Sequence, residues 1–163
     1  MAKPSVYIET TVISYLTAWP SGNVIRAAHQ QITKEWWDKR RGDFELFVSE
    51  FVAQECSAGN AEAAQQRLTA LADIPSLDAN EAIEQLARSL IARQALPAKA
   101  ATDALHIAAA AVHNVEFLLT WNCKHIANAQ MLNAIETVCR EQGYKCPRIC
   151  TPEELLGDQA DEG

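Results

Sequence analysis

Short runs of β-branched and aromatic residues alternate along this chain with longer amphipathic stretches. The first run, residues 5–8, reads as a buried strand. Glu9-Thr10-Thr11 interrupts it, and apolar character resumes over residues 12–16 as a helix or a tight turn. Trp19-Pro20-Ser21-Gly22-Asn23 is a loop by its breakers. Residues 24–41 predict a helix. Its expected core face carries Ile25, Ala28, Ile32 and Trp36 at three- and four-residue spacing, and Gly42 ends it. Residues 44–49 predict a second strand. A helix over residues 50–57 stops near Gly59, and Asn60 caps the next, which runs to about Ala72.

Residues 74–77 make a short strand at best. Asp78-Ala79-Asn80-Glu81 resembles a capping box and opens a helix to about Ala95, broken by Leu96-Pro97. The alanine-rich residues 98–113 predict a strong helix with Ala101, Leu105, Ala108 and Val112 on its core face. A strand is expected over residues 116–121 and a helix over 129–142, with Gly143 just past its end. Residues 148–150 suggest a last short strand. Thr151-Pro152-Glu153-Glu154 then opens a terminal turn with a capping threonine and a proline at the first helical position. Strands alternating with helices throughout imply an α/β fold with a parallel sheet covered on both faces. No repeat or linker divides the chain, so one domain is expected over residues 1–156, followed by an acidic, flexible tail over 157–163.

Composition adds bounds. At 163 residues the chain is long enough for a core that needs neither disulfides nor a structural metal. A net charge of −7 argues against non-specific nucleic-acid binding through a broad basic surface. It leaves room for a cleft where a cation, or a few Lys and Arg, reverse the local sign. The five cysteines are odd in number and no secretory signal is expected, so reduced thiols in the cytoplasm are the simplest reading. Cys139, Cys146 and Cys150, or Cys123 with His125, lack the close pairing typical of zinc sites. No apolar run approaches the length of a membrane span.

In open α/β sheets, sites gather beyond the carboxyl ends of the strands. Glu9 follows the first expected strand, the helix after the second carries Glu50 and Glu55, and Thr120-Trp121-Asn122 ends the fourth. Asp103 stands among small and apolar residues near the start of the alanine-rich helix, with His106 at i+3 on the same face. Taken singly, each has an ordinary explanation. Asp103 complements a helix N-terminus. Glu9 and Asn122 fit turns, Glu55 an exposed helix face, and His106 a packed or exposed histidine. Taken together, oxygen ligands from distant segments at one end of a sheet suit a hard cation such as Mg²⁺ or Mn²⁺. No phosphate-binding glycine loop, dinucleotide fingerprint or nucleophile elbow is present.

Four segments also carry a resemblance. They are Tyr7-Ile8-Glu9-Thr10-Thr11-Val12-Ile13-Ser14, Ser49-Glu50-Phe51-Val52-Ala53-Gln54-Glu55, Thr102-Asp103-Ala104-Leu105-His106-Ile107-Ala108 and Leu118-Leu119-Thr120-Trp121-Asn122. In order and spacing they resemble the four motifs of PIN domains, closest in look to the VapC-like toxins of bacterial type II toxin–antitoxin pairs. The resemblance runs from about Ser5 to Leu156. It implies a three-layer α/β/α fold with a parallel, about five-stranded central sheet. It also implies a Mg²⁺- or Mn²⁺-dependent endoribonuclease, often dimeric and inhibited by a cognate antitoxin. The family's acidic positions fall on Glu9, on Glu55 rather than Glu50, and on Asp103, with the fourth on Asn122. Thr120 is the hydroxyl partner of the fourth, and Thr11 matches the residue that supports the first. Two positions depart: Glu9 and Asn122 stand where aspartate is usual. An amide oxygen still coordinates a hard cation but brings no charge.

These observations make three expectations. The first is a metal-dependent ribonuclease. Glu9, Glu55 and Asp103 would be catalytic, and Glu9, Asp103 and Asn122 would hold the cation with Thr11 and Thr120 in support. Lys99, Lys124 and His125 would stand at the rim, either offsetting phosphate charge or as ordinary surface residues. The second is a catalytically weakened module on the same fold that binds RNA or an antitoxin without cleavage, the reading Asn122 favours. The third, compatible with both, is a structural or regulatory oligomer whose dimer surface is formed by Trp36, Trp37 and the helix over residues 24–41, with one tryptophan at the interface, since neighbouring tryptophans do not share one narrow core stripe.

Overall fold

A computed structural model describes residues 2–157. The expected tail therefore lies, apart from Gly157, outside the described residues. Five parallel strands form one sheet: β1 (Ser5–Ile8), β2 (Glu45–Ser49), β3 (Ser76–Leu77), β4 (Phe117–Leu119) and β5 (Arg148–Cys150), in the order β3-β2-β1-β4-β5. Seven α-helices connect them: α1 (Thr10–Thr17), α2 (Val24–Lys39), α3 (Glu50–Cys56), α4 (Ala61–Leu71), α5 (Glu81–Ala92), α6 (Ala101–Val112) and α7 (Ala129–Glu141). Right-handed crossovers put α1–α4 on one face and α5–α7 on the other. The packing follows that division: α1 lies on α2, α3 and α4, and α5 lies on α6 and α7. The α/β sandwich expected from the alternation of elements is the one observed. Among the described residues, no helix is long and apolar enough to cross a membrane.

Asparagine sets most of the helix starts. Asn23, Asn60, Asn80 and Asn128 are the N-caps of α2, α4, α5 and α7, each accepting a backbone N–H of the first turn. The cap of α5 is thus Asn80 and not the Asp78 of the expected capping box. The helix also ends earlier than Ala95, because Gln94 takes a left-handed φ of 60° and the amides of Ala95 and Leu96 both turn back to the Leu90 carbonyl. Gly143, at φ 88°, closes α7 as expected.

Two expected core faces differ from the observed ones. In α2 the buried residues are Gln30, Thr33, Trp36 and Trp37, whereas Val24 and Ile25 are 82% and 69% exposed. The helix projects its first two turns beyond the core, so apolar spacing there does not report burial. Both tryptophans are inside, which corrects the expectation that one faces a partner. Trp36 packs against Phe44, and the Arg41 guanidinium covers Trp37 at 4.6 Å. In α6 nearly every side after the first turn is buried. Its core residues centre on Ala104, Ile107, Ala108 and Ala111, and Ala101 is exposed. A helix of alanines shows no clear apolar face in its sequence, so its orientation was set by its neighbours.

Candidate metal centre

β1 is the strand at which the order of the sheet reverses: β2 lies on one side of it and β4 on the other. A crevice opens at such a point beyond the carboxyl ends of the strands. Ile8 pairs with Leu119, so the residues that follow, Glu9 and Thr120, leave the sheet side by side. Glu9 is the N-cap of α1, and its carboxylate accepts the Thr11 amide at 3.2 Å. The Thr11 and Thr120 hydroxyls both donate to its Oε1 at 2.5 Å. Thr11 Oγ1 in turn accepts the Trp121 amide at 2.8 Å, which fastens the exit of β4 to the start of α1. Glu9 is 2% exposed, yet among the described residues no Lys or Arg forms a salt bridge with it. The carboxylate is thus satisfied by hydroxyls and one amide, with no cationic side chain among its partners.

A second carboxylate faces it. Glu55, in the last turn of α3, accepts the Thr10 hydroxyl at 2.7 Å and meets His106 Nε2 at 2.5 Å, both on Oε1. Burial acts to raise the Glu55 carboxyl, but the hydrogen bonds from His106 and Thr10, with the attraction of His106, outweigh it. The group is held below its ordinary value. His106 is fully buried, and its other nitrogen, Nδ1, lies 2.7 Å from the Tyr7 hydroxyl, which lies 2.6 Å from Ser49 Oγ. Burial, above all, pushes the Tyr7 phenol well above its ordinary range. The Ser49 hydrogen bond opposes this, and the nearby charges of Glu9 and Glu55 add to it. The phenol therefore stays protonated and can donate. Ser49, Tyr7, His106 and Glu55 form one relay from the interior of the sheet to its carboxyl edge. One ligand atom each from Glu9, Glu55 and His106 lies within 4.8 Å of the others.

Asp103 stands outside this trio, one helical turn before His106 on α6. Its Oδ1 accepts Asn122 Nδ2 at 3.0 Å, and its Oδ2 lies 3.0 Å from His125 Nδ1. Asn122 Oδ1 accepts the His125 amide at 3.0 Å, and its own amide donates to Thr120 Oγ1 at 2.9 Å. These partners fix the Asn122 side chain. Flipping it would set two acceptors against each other at Asp103 and two donors against each other at His125. The amide oxygen is thus committed to the loop while the nitrogen holds Asp103.

The structure brings Glu9, Glu55, Thr11 and Thr120 together with His106, whereas Asp103 and Asn122, expected beside Glu9 as ligands, form a separate cluster with His125. Glu50, Lys99 and Lys124 are exposed, and none is paired with a carboxylate of the site. Sequence reasoning missed Tyr7, Ser49 and Thr10, and gave His106 and His125 too little weight. The i+3 spacing from Asp103 was the available signal for His106. The Tyr7–His106 bond spans 99 residues and left none. All five cysteines are free thiols, and none belongs to the trio.

No protein-family model matches the chain, and no curated protein matches it by sequence. Among solved structures, it is similar to a chain in the crystal structure of VapBC2 from Rickettsia felis bound to a DNA fragment from their promoter. The TM-score is 0.56 and the identity 14%, over 90% of this chain and 98% of that one. A likeness at this identity speaks to the fold, and it extends over almost the whole of both chains.

Proposed function

We propose that this chain is a divalent-metal-dependent endoribonuclease acting as the toxin of a toxin–antitoxin pair. The observation that carries the reading is the convergence of Glu9 and Glu55 at the switch point of the sheet, with Glu9 buried and unpaired by any Lys or Arg among the described residues. That donor set fits Mg²⁺ or Mn²⁺, which take carboxylate oxygens. The similarity of the four segments to PIN domains and the fold shared with a VapBC2 chain support the rest.

In this reading Glu9 and Asp103 hold the cation directly or through water, and Glu55 orients the attacking water. Thr11 and Thr120 fix the Glu9 carboxylate through their hydroxyls. Asn122 aims Asp103 with its amide nitrogen, and its oxygen serves a cation only after leaving the His125 amide. The cation supplies neutralisation of the charge that builds on the phosphodiester and acidifies a water molecule. The partners are RNA as substrate, a cognate antitoxin and a second copy of the chain. The free thiols suit action in the cytoplasm.

The test is cleavage of single-stranded RNA and DNA by chelator-treated protein, with and without Mg²⁺ or Mn²⁺, beside Glu9→Gln and Asp103→Asn. RNA cutting that needs the cation and falls by at least about 100-fold in each variant supports the proposal. Cutting that survives both variants overturns it. The neutral Asn122, hydrogen-bonded to Asp103, favours a second reading: a weakened module that binds antitoxin or RNA without cleavage. Tight RNA binding by the metal-loaded protein, with no cleavage, selects it.

A further inference from the structure

We propose that His106 is itself a ligand of this metal centre, through Nε2, and that the site therefore prefers Mn²⁺ and later transition ions to Mg²⁺. The proposal rests on the metal-centre reading above. Two carboxylates alone would carry little weight. A fully buried imidazole bonded to Glu55, with a ligand atom within 4.8 Å of one from Glu9, and backed by two buried hydroxyls, is a built feature.

Hydrogen-bond directions show how His106 can serve. A neutral imidazole carries one proton, on either nitrogen. With the proton on Nε2, His106 donates to Glu55, and Nδ1 accepts from the Tyr7 hydroxyl, which accepts from Ser49. With the proton on Nδ1, the two inner bonds reverse, His106 donating to Tyr7 and Tyr7 to Ser49, while the bond from Nε2 to Glu55 is given up. The ring proton changes nitrogen and the two hydroxyl hydrogens turn, while Glu55 draws back from Nε2 to make room for the ion. The Nε2 lone pair then faces Glu55, with Glu9 in the same cluster. A metal-bound histidine typically gives its other N–H to an acceptor that fixes the ring, and Tyr7 is placed to be that acceptor. The same relay thus satisfies His106 whether or not a cation is bound.

Ligand type decides the ion. Mg²⁺ favours oxygen donors and keeps its waters, whereas imidazole suits Mn²⁺ less than Co²⁺, Ni²⁺ or Zn²⁺ but better than it suits Mg²⁺. One nitrogen among oxygens shifts the preference along that series. Lys99 and Lys124, being exposed and unpaired with the site, do not supply a competing positive charge.

Pulsed electron paramagnetic resonance on chelator-treated, Mn²⁺-loaded protein tests this without reading activity. Coordination by His106 gives a ¹⁴N coupling to the Mn²⁺ spin, and that coupling persists in His125→Gln, which removes the other imidazole near the site. Calorimetry adds a second readout. Wild type binds Mn²⁺ more tightly than Mg²⁺. Tyr7→Phe, which keeps the ring and removes the acceptor, weakens Mn²⁺ binding on the order of 10-fold and Mg²⁺ binding less. Bound Mn²⁺ with no ¹⁴N coupling overturns the proposal and leaves the carboxylate site standing. A coupling that vanishes in His125→Gln overturns it too. No Mn²⁺ binding at millimolar concentration overturns both the proposal and the metal-centre reading. His106→Ala is a less suitable probe, because it empties a fully buried position and removes one of the two partners of the Tyr7 hydroxyl.

Discussion

Asn122 and Asp103 meet through an amide nitrogen and a carboxylate oxygen 3.0 Å apart, so the residue at 122 sets the charge of the whole corner. Asn122→Asp removes the donor and puts a second carboxylate against the first. In chelator the variant should be less stable by about 1–3 kcal/mol, the usual consequence of leaving a part-buried polar group unsatisfied. Added Mn²⁺ should shrink that deficit, because a cation turns the repulsion into chelation. Thermal melts in chelator and in Mn²⁺ measure both, and an equal deficit in the two conditions would count against a cation at this corner. Glu55 gives a second prediction at this scale. Its carboxyl is held below the ordinary value in the folded chain, so its ionised form contributes stability above the unfolded value of roughly 4.3. That contribution is lost as pH falls through the lower folded value. Glu55→Gln should therefore flatten the acid limb of a stability–pH profile; an unchanged limb would mean that the Glu55–His106 bond contributes nothing. Asp103 drew notice because a carboxylate stands out amid small and apolar residues, and Glu9 because it follows an apolar strand, whereas Glu55 had the weakest case of its own and was separated from Glu50 only by the resemblance. Tyr7 and Ser49 were not legible, because inside a strand a tyrosine or serine reads as an ordinary sheet residue. Only the register that sets β1 beside β2, and α6 over their ends, brings their hydroxyls to His106.

α2 shows what periodicity conveys about an element and what it does not. The existence of the helix and its start at Asn23 were legible, since a capping side chain acts through bonds within one turn. The buried face was not, because burial depends on how far the helix overhangs its neighbours. Ile25→Ser should change stability by no more than about 0.5 kcal/mol, as expected at an exposed position. Trp36→Ala, about three turns later on the same expected face, should cost about 3–5 kcal/mol, because the ring is fully buried against Phe44. Urea denaturation of the two variants separates the observed face from the expected one; similar losses would restore the latter. The same limit applies to α6. Its alanines fit closely on several sides at once, and the choice of which side carries Asp103 and His106 toward the sheet edge belongs to α3 and α5, which pack against it.

At the scale of the molecule, alternating strands and helices made the fold class legible in full, since short apolar runs of this kind have few alternatives to a parallel sheet. The sheet order was not legible. Yet that order creates the crevice between β1 and β4, and with it the electrostatic problem the chain carries: a net charge of −7 with two carboxylates drawn together and a third, Asp103, in the cluster beside them. Folding concentrates charge there that the unfolded chain spreads out, so a cation bound only by the folded form must stabilise it. At a free Mn²⁺ concentration about 100 times the dissociation constant, one site adds about 2.7 kcal/mol. For a domain of this size, that corresponds to a rise in Tm of roughly 5–10 °C. General screening of the acidic surface also stabilises, so the comparison is with Na⁺ at matched ionic strength. A rise in Mn²⁺ well beyond that in Na⁺, and abolished in Glu9→Gln, ties the gain to the buried carboxylate. Equal rises in the two salts would mean that the protein responds to Mn²⁺ as to any counterion, and that Glu9 is held in the fold by its threonines alone.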